Sequence, residues 1–138
     1  MLGNIRILKW SLLPGMIYFF GVGIAHMAGF KIPLLYIYFN IPSYGYQDKI
    51  ISLLSLGWAI FFLTAFINPE KNMHLIKSLV IAGFGAIIGL CVINLSTNFR
   101  GLAPISNIFV FWIELLVLSF YLIWLCVSFW RAKNNSSK

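Results

Sequence analysis

The chain has 138 residues, of which 61% are hydrophobic and 9% charged, and its formal net charge is +7. A soluble domain of this length leaves much of its surface in water and usually carries roughly a quarter charged residues. The composition therefore excludes an ordinary soluble domain and indicates one membrane domain, residues 1–138. The basic residues stand singly at the ends of apolar runs, which is typical of membrane orientation, so nucleic-acid binding is not expected.

The chain contains apolar runs that are long enough to cross a hydrocarbon core of about 30 Å as helices. The predicted helices span residues 11–30, 50–67, 78–96 and 105–129. Asn68-Pro69 follows the second run directly, and the residue before a proline avoids helical geometry, so a helix end is expected there. The sequence thus predicts an all-α integral membrane four-helix bundle.

The distribution of Lys and Arg predicts the orientation of the bundle. Seven of these residues lie near the termini or in the second loop, and three lie in the other loops. Cytoplasmic segments carry the excess of Lys and Arg, so both termini are expected to face the cytoplasm, and a bacterial inner membrane is the predicted location. The polar residues 132–138 are predicted to form a disordered tail.

The predicted first outer loop, residues 31–48, is rich in aromatic residues. Its prolines prevent one continuous helix, and tyrosine rings with a polar tip favour the level of the lipid headgroups. We expect this loop to fold over the outer end of the bundle as an interfacial lid. We expect it to serve as a docking surface or the rim of a ligand pocket, or simply as a membrane anchor, and its docking candidates are Tyr36, Tyr38, Tyr44, Tyr46 and Asp48.

Small residues recur at helical spacing in two of the predicted helices. Gly21, Ala25 and Gly29 repeat every four residues in the first helix, and Gly85 and Gly89 form a GxxxG motif in the third. Such stripes let helix backbones approach closely in lipid. They are predicted to pack the bundle on itself, and a homodimer face is the alternative.

Glu114 is the one carboxylate inside the predicted helices. Counted from residue 105 it lies about 14 Å into the membrane, near the midplane. An ionisable residue at that depth is costly and indicates a functional site, and we expect the side chain to face the bundle. The alternative is a protonated carboxyl hydrogen-bonded to a neighbouring helix, with Asn94, Ser55 or Thr64 as partner.

The histidines do not indicate a haem or metal site. His26 lies near the outer end of the first helix and His74 in the cytoplasmic loop, so one chain cannot place both on one haem. The sequence shows no cluster of metal ligands and no nucleophile–base spacing, so no metal, cofactor or catalytic residue is predicted. The candidates for a ligand or proton site are Glu114, His26 and Asn94.

The glycine-rich first helix with His26, the Asn68-Pro69 exit from the second helix and the polar fourth helix with Glu114 resemble small DoxX-like and BphX-like bacterial membrane proteins. The resemblance covers most of the chain and implies a four-helix membrane fold. Some members of that group are linked to quinone-coupled oxidation or to degradation operons. No catalytic residue is carried over, because none matches a family motif residue by residue.

The scarcity of polar groups in the predicted helices favours a non-catalytic accessory or interaction subunit over an enzyme. Its expected partners are the lipid bilayer and either another membrane protein or further copies of the chain. One alternative is a quinone- or redox-linked membrane protein that uses Glu114. Another is a small oligomeric transporter in which Glu114 lines a central path.

Overall fold

A computed structural model describes residues 2–104 and 106–136 of the chain, and all regular secondary structure within them is helical. This confirms the predicted all-α fold. The helices, in chain order, are α1 (Leu2–Ala28), α2 (Gly45–Ile67), α3 (Met73–Ser96), α4 (Phe99–Leu102) and α5 (Ile108–Ser136). The long helices α1, α2, α3 and α5 form the bundle.

The helices extend beyond the apolar runs from which they were predicted. α1 begins at Leu2 instead of residue 11, because basic side chains at a helix end can reach the headgroup layer without ending the helix. α5 continues to Ser136, and Ala132 is only 1% exposed. The predicted disordered tail is therefore wrong for residues 132–136, whereas residues 137–138, like the predicted start of the last helix at residue 105, lie outside the described residues.

The outer surface of the bundle is apolar, and its interior holds some polar groups beside an apolar core. Leu95 is 78% exposed and Phe120 70%, whereas Ser11 and Ser52 are fully buried. A surface of this kind would aggregate in water, but in a bilayer the exposed side chains are covered by lipid. Four of the described helices are long and apolar enough to cross a membrane. The chain is therefore a small four-span membrane protein.

One end of the bundle, here called the terminal end, holds both ends of the described chain. The Asn4 side-chain amide donates to the Arg131 carbonyl at 3.2 Å, and the Lys9 ammonium lies 4.9 Å from the centre of the Phe66 ring. A closely packed apolar core fills this end and stabilises the four-helix arrangement. Its buried members are Leu8, Leu12, Phe62, Ala65, Ile76, Leu79, Val80, Leu125, Phe129 and Ala132.

The opposite end is covered by residues 29–44, here called the lid. Gly29 ends α1 with a φ of +74°, and the Phe30 amide donates to the Ala25 carbonyl at 2.9 Å. This is the hydrogen bond of a Schellman cap, which needs a residue in the left-handed region and so favours glycine. The predicted packing role of Gly29 is corrected accordingly, since a Cβ placed there would have no atom of the described residues within 4 Å apart from its own chain neighbours.

The two small-residue stripes differ in their contacts with the rest of the protein. A Cβ on Gly21 would lie 3.3 Å from Leu35 of the lid, and Ala25 is 3% exposed. Gly85 and Gly89 are exposed, and none of the described atoms lies within 4 Å of a Cβ placed on them. The prediction that these two glycines pack the bundle on itself is wrong, because spacing shows only that residues share a face.

The closest helix pair in the bundle is α1 and α2. The Ser52 hydroxyl donates to the Gly23 carbonyl at 2.7 Å, and a Cβ on Gly23 would lie 2.7 Å from Leu56. The missing side chain lets the two backbones approach, so the hydroxyl of one helix reaches the carbonyl of the other. This contact fixes α1 against α2 at the depth of the candidate site.

Candidate functional site beneath the lid

A cavity of about 600 Å³ lies between the four long helices and beneath the lid. The terminal core closes it at one end, and the lid closes it at the other. The cavity surface is almost entirely apolar, which suits a molecule dissolved in lipid. The apolar side chains that line it include Phe19, Val22, Trp58, Phe62, Leu79, Leu118, Leu122 and Leu125.

Stacked aromatic side chains of α1 and α2, namely Phe19, Trp58 and Phe62, form one side of the cavity, here called the aromatic wall. The Phe19 ring stacks against Trp58 and Phe62, with ring centroids 5.9 and 5.5 Å apart. Stacked aromatic pairs stabilise a structure beyond the area they bury and fix the ring orientations. From the opposite side, the Tyr121 hydroxyl donates to the Ser11 carbonyl at 3.1 Å and ties α5 to α1. These contacts preserve the shape of the cavity without a bound molecule.

His26 and Asp48 form a buried polar pair where α1, α2 and the lid meet. Nδ1 of His26 lies 3.2 Å from Oδ1 of Asp48, and both residues are 8% exposed. The Ser43 hydroxyl donates to the other Asp48 oxygen at 2.8 Å. The carboxylate therefore holds the end of the lid against both helices, a charge-assisted arrangement that is strong in a low-dielectric setting.

Tyr36 covers this pair from the lid. Its ring stacks on the His26 imidazole with centroids 3.5 Å apart and planes inclined by 15°. Burial raises the pKa of Tyr36 to about 12, so its hydroxyl stays protonated at neutral pH. That hydroxyl is buried, lies close to the Asp48 charge and has no hydrogen-bond partner of regular geometry among the described atoms. The Tyr36 hydroxyl is thus an unpaired hydrogen-bond donor at the roof of the cavity.

Glu114 holds the middle of the lid. Its Oε1 accepts the backbone N–H of Leu34 at 2.8 Å, and its side chain faces the bundle with 4% exposure, in agreement with expectation. Leu34 has a φ of +70°, a left-handed conformation that costs a non-glycine residue of order 1–3 kcal/mol. The hydrogen bond to the carboxylate offsets that strain, so Glu114 acts on the backbone of the lid.

The structure corrects two expectations about Glu114. Because α5 begins at Ile108, Glu114 lies about 9 Å along that helix and near the lid, not at the midplane. Its partner is a backbone amide, and two of the polar side chains expected to bind it have other hydrogen bonds. Asn94 accepts from Tyr38, and the Thr64 hydroxyl donates to the Ile60 carbonyl within its own helix.

Tyr38 links the lid to α3. Its hydroxyl donates to Oδ1 of Asn94 at 3.0 Å, and its ring stacks on Phe99 and meets Phe111 edge-on. Burial raises the pKa of Tyr38 to about 12, which keeps the hydroxyl a donor at neutral pH. The Nδ2 atom of Asn94 and the Oε2 atom of Glu114 are both buried without a partner among the described residues. Both unpaired atoms belong to residues that anchor the lid.

The docking candidates of the lid region separate into two groups. Tyr44 and Tyr46 are 70% and 63% exposed and stack on each other, so they remain available at the surface. Tyr36, Tyr38 and Asp48 point inward and line the cavity. These three are corrected from docking residues at the surface to parts of the cavity roof, because Tyr38 and Asp48 have hydrogen-bond partners inside the bundle and the Tyr36 ring is stacked there.

Removal of the Glu114 acceptor should loosen the lid. In Glu114→Leu the buried Leu34 amide loses its partner, which costs about 1–3 kcal/mol, whereas Glu114→Gln keeps an oxygen in place. We expect faster hydrogen–deuterium exchange across residues 29–44 in the Leu variant and near-normal exchange in the Gln variant. Unchanged protection of the lid in Glu114→Leu would contradict the role assigned to this residue.

The sequence-based candidates occupy one end of the bundle but do not form one site. His26 pairs with Asp48, Glu114 with Leu34, and Asn94 with Tyr38. Within residues 2–104 and 106–136 no group of three or more His, Cys, Asp or Glu side chains is placed to hold a metal ion. Since most of these polar groups bond to one another or to the lid, the arrangement favours binding of an apolar molecule.

The cavity walls were missed by sequence analysis. Gly15 and Gly83 make room for Tyr121 and Leu122, and Trp58 forms part of the lining. In a membrane helix most positions are apolar, so hydropathy does not separate a residue facing a cavity from one facing lipid. The small residues Gly15 and Gly83 were the available signal, but they fall outside the stripes with regular four-residue spacing.

Comparison of the chain with known protein families, curated proteins and solved structures gives no match. The likeness to DoxX-like and BphX-like proteins therefore stays a prediction. The structure supports the coarser statement, that the chain is a small multi-pass membrane protein with a helical bundle.

Proposed function

We propose that the protein binds a lipid-soluble molecule in the cavity beneath its lid. The observation that carries this proposal is the cavity itself, about 600 Å³ with an almost wholly apolar surface. Sites for small molecules commonly measure roughly 300–1,000 Å³ and are lined by apolar and aromatic side chains with few polar groups. The cavity lies within that range.

The lining favours a molecule with an apolar chain and at most a small polar group. The aromatic wall and the leucines of α5 suit a chain or ring, and the polar groups at the roof suit a carbonyl or hydroxyl. A quinone belongs to this class, so the alternative of a quinone-linked protein is retained. Glu114 is absent from the described lining, so binding has more support than redox chemistry through that residue.

The binding proposal predicts that the protein retains a small molecule when it is purified in mild detergent. Extraction with organic solvent followed by mass spectrometry should show one class of compound in near-stoichiometric amount. In Ala82→Phe a ring would enter the cavity, and we expect the compound to be lost. The neighbouring Ile81→Phe, at a position 60% exposed outside the described lining, is the control and should retain it. Equal retention by both variants would contradict the proposal.

A second candidate function is that of a non-catalytic accessory or interaction subunit. It is favoured by α3, which is the least buried of the spans and leaves Gly85 and Gly89 uncovered. A partner helix, from another protein or a second copy, could approach closely there. Native mass spectrometry in mild detergent tests this role, since Gly85→Leu should remove any added protein mass. The oligomeric transporter has less support, because Glu114 is buried within one chain.

We further propose that both termini face the cytoplasm of a bacterial inner membrane. The contact between Asn4 and Arg131 supports a common side for the two ends, and the basic excess lies on that side. Accessibility of single cysteines placed at the terminal end and in the lid, in a background without Cys91 and Cys126, measures this orientation.

A further inference from the structure

The cavity reaches the surface of the protein at one stretch of its rim. The lining residues that are also exposed are Ile51 of α2, Ala86 of α3, and Pro42 and Ser43 of the lid. Ile51 is 41% exposed. The lining residues from α1 and α5 are buried or half-buried. The opening among the described residues is therefore bounded by α2, α3 and the end of the lid.

The arrangement of the helices explains why the opening lies there. α1 packs closely on α2 and on α5, and α5 packs on α3, whereas α2 and α3 touch sparsely. Phe62 and Ala65 of α2 share the terminal core with Ile76 and Leu79 of α3. Toward the lid, the small side chains of Ala82, Gly83 and Ala86 form part of the α3 lining beside Ile87 and Leu90, and there α3 fills less of the space toward α2.

The lid and the terminal core close the two ends of the cavity among the described residues. At the lid end, Leu34 is bonded to Glu114 at 2.8 Å and Tyr38 to Asn94 at 3.0 Å, and Tyr36 is stacked on His26. At the terminal end, the apolar core fills the space between the helices. A molecule coming from water would have to break these hydrogen bonds and the ring stack, whereas one coming from the side would meet apolar side chains.

We propose that the cavity is loaded sideways from the bilayer, between α2 and α3, by a long-chain or isoprenoid-chain amphiphile. This inference rests on the proposed binding function and specifies its ligand class and route. Such a molecule is already dissolved in lipid, so its apolar part never crosses water on the way from the bilayer to the cavity. The lid then acts as a fixed roof, and the rim between Ile51 and Ala86 sets the rate of exchange.

The route is tested with a brominated long-chain alcohol, whose bromine atoms quench tryptophan fluorescence. The reporter is Trp58 in the cavity wall, in a protein whose other tryptophans (Trp10, Trp112, Trp124 and Trp130) are replaced by Phe. The protein is held in nanodiscs and loaded with the alcohol, and excess unbrominated alcohol is then added. The recovery of fluorescence gives the release rate, and a titration gives the affinity.

We expect Ile51→Phe and Ala86→Phe to narrow the rim and slow release by at least about tenfold with little change in affinity. The controls Leu53→Phe and Ile88→Phe change exposed positions on the same helices outside the described lining and should leave the rate unchanged. Glu114→Leu, which frees the Leu34 amide of the lid and lies outside the described lining, should also leave it unchanged.

The outcomes separate the route from the binding function. Saturable quenching with rim variants that release at the normal rate, or with Glu114→Leu releasing faster, would overturn the lateral route and leave the binding function intact. If the rim variants lost affinity without slower release, Ile51 and Ala86 would contact the bound molecule and would not control its exit. That result would also overturn the route. Absence of saturable quenching in the parent protein would overturn the binding function and this route with it.

Discussion

Gly15→Ala is expected to destabilise the folded bundle by about 1–3 kcal/mol, the usual cost of overpacking an interior. A Cβ at this position would run into the Tyr121 hydroxyl and lie 2.5 Å from a Phe62 ring carbon. Neither group can withdraw easily, because Tyr121 is bonded to the Ser11 carbonyl and Phe62 is stacked on Phe19. Unfolding in a mixed-micelle denaturant titration measures the effect.

Two further variants make this prediction specific. In Gly57→Ala the added methyl meets no atom within 4 Å, so the better helix propensity of alanine should leave stability unchanged or raise it by up to ~1 kcal/mol. Adding Tyr121→Phe to Gly15→Ala removes the colliding hydroxyl and should restore part of the loss. If Gly15→Ala and Gly57→Ala were equally stable, the close contact between α1 and α5 would be wrong.

Asp48→Ala is expected to loosen the lid end and to destabilise the protein by about 2–4 kcal/mol. The substitution leaves the buried His26 ring and the Ser43 hydroxyl without their acceptor, and breaking a buried pair is costly because the remaining partner cannot be solvated. Faster hydrogen–deuterium exchange across the lid and a lower midpoint in the same denaturant titration are the readouts.

The matched control is Glu70→Ala, which removes an exposed carboxylate from the loop between α2 and α3. Exposed charges contribute little to stability, so this variant should unfold like the parent protein. The double variant with His26→Leu tests the pairing itself, since the loss from Asp48→Ala should be smaller once His26 is absent. Additive effects of the two substitutions would show that the pair contributes no coupling energy.

The lid illustrates how far sequence analysis reached. Its aromatic composition and its prolines were sufficient to predict a segment that folds over one end of the bundle. Which tyrosines turn inward was not predictable, because residues 29–44 have no helical or strand periodicity to define a face. Tyr36 turns inward because its ring stacks on His26, and Tyr38 because its hydroxyl bonds to Asn94. Tyr44 and Tyr46 stack on each other at the surface.

Glu114 illustrates the same limit of sequence analysis for a residue within a helix. Its presence in an apolar run was enough to predict a buried, bundle-facing side chain, since a carboxylate in lipid is costly. Its partner was predicted among polar side chains, but the structure gives it the Leu34 amide, which is free because the backbone there adopts a left-handed conformation. Such a backbone donor cannot be predicted from the residue types, because every residue except proline carries a backbone N–H.

The sequence by itself determined that this protein lies in a lipid bilayer, that it is helical, and where its spans approximately lie, because hydropathy and run length are local properties of the chain. Only the tertiary structure decided which helical faces meet. It placed Gly15 and Gly83 inside and Gly85 and Gly89 outside, and it left a cavity between the four long helices. The physical reason is that lipid and a protein interior are both apolar, so hydrophobicity alone does not distinguish a face that packs from one that faces the bilayer.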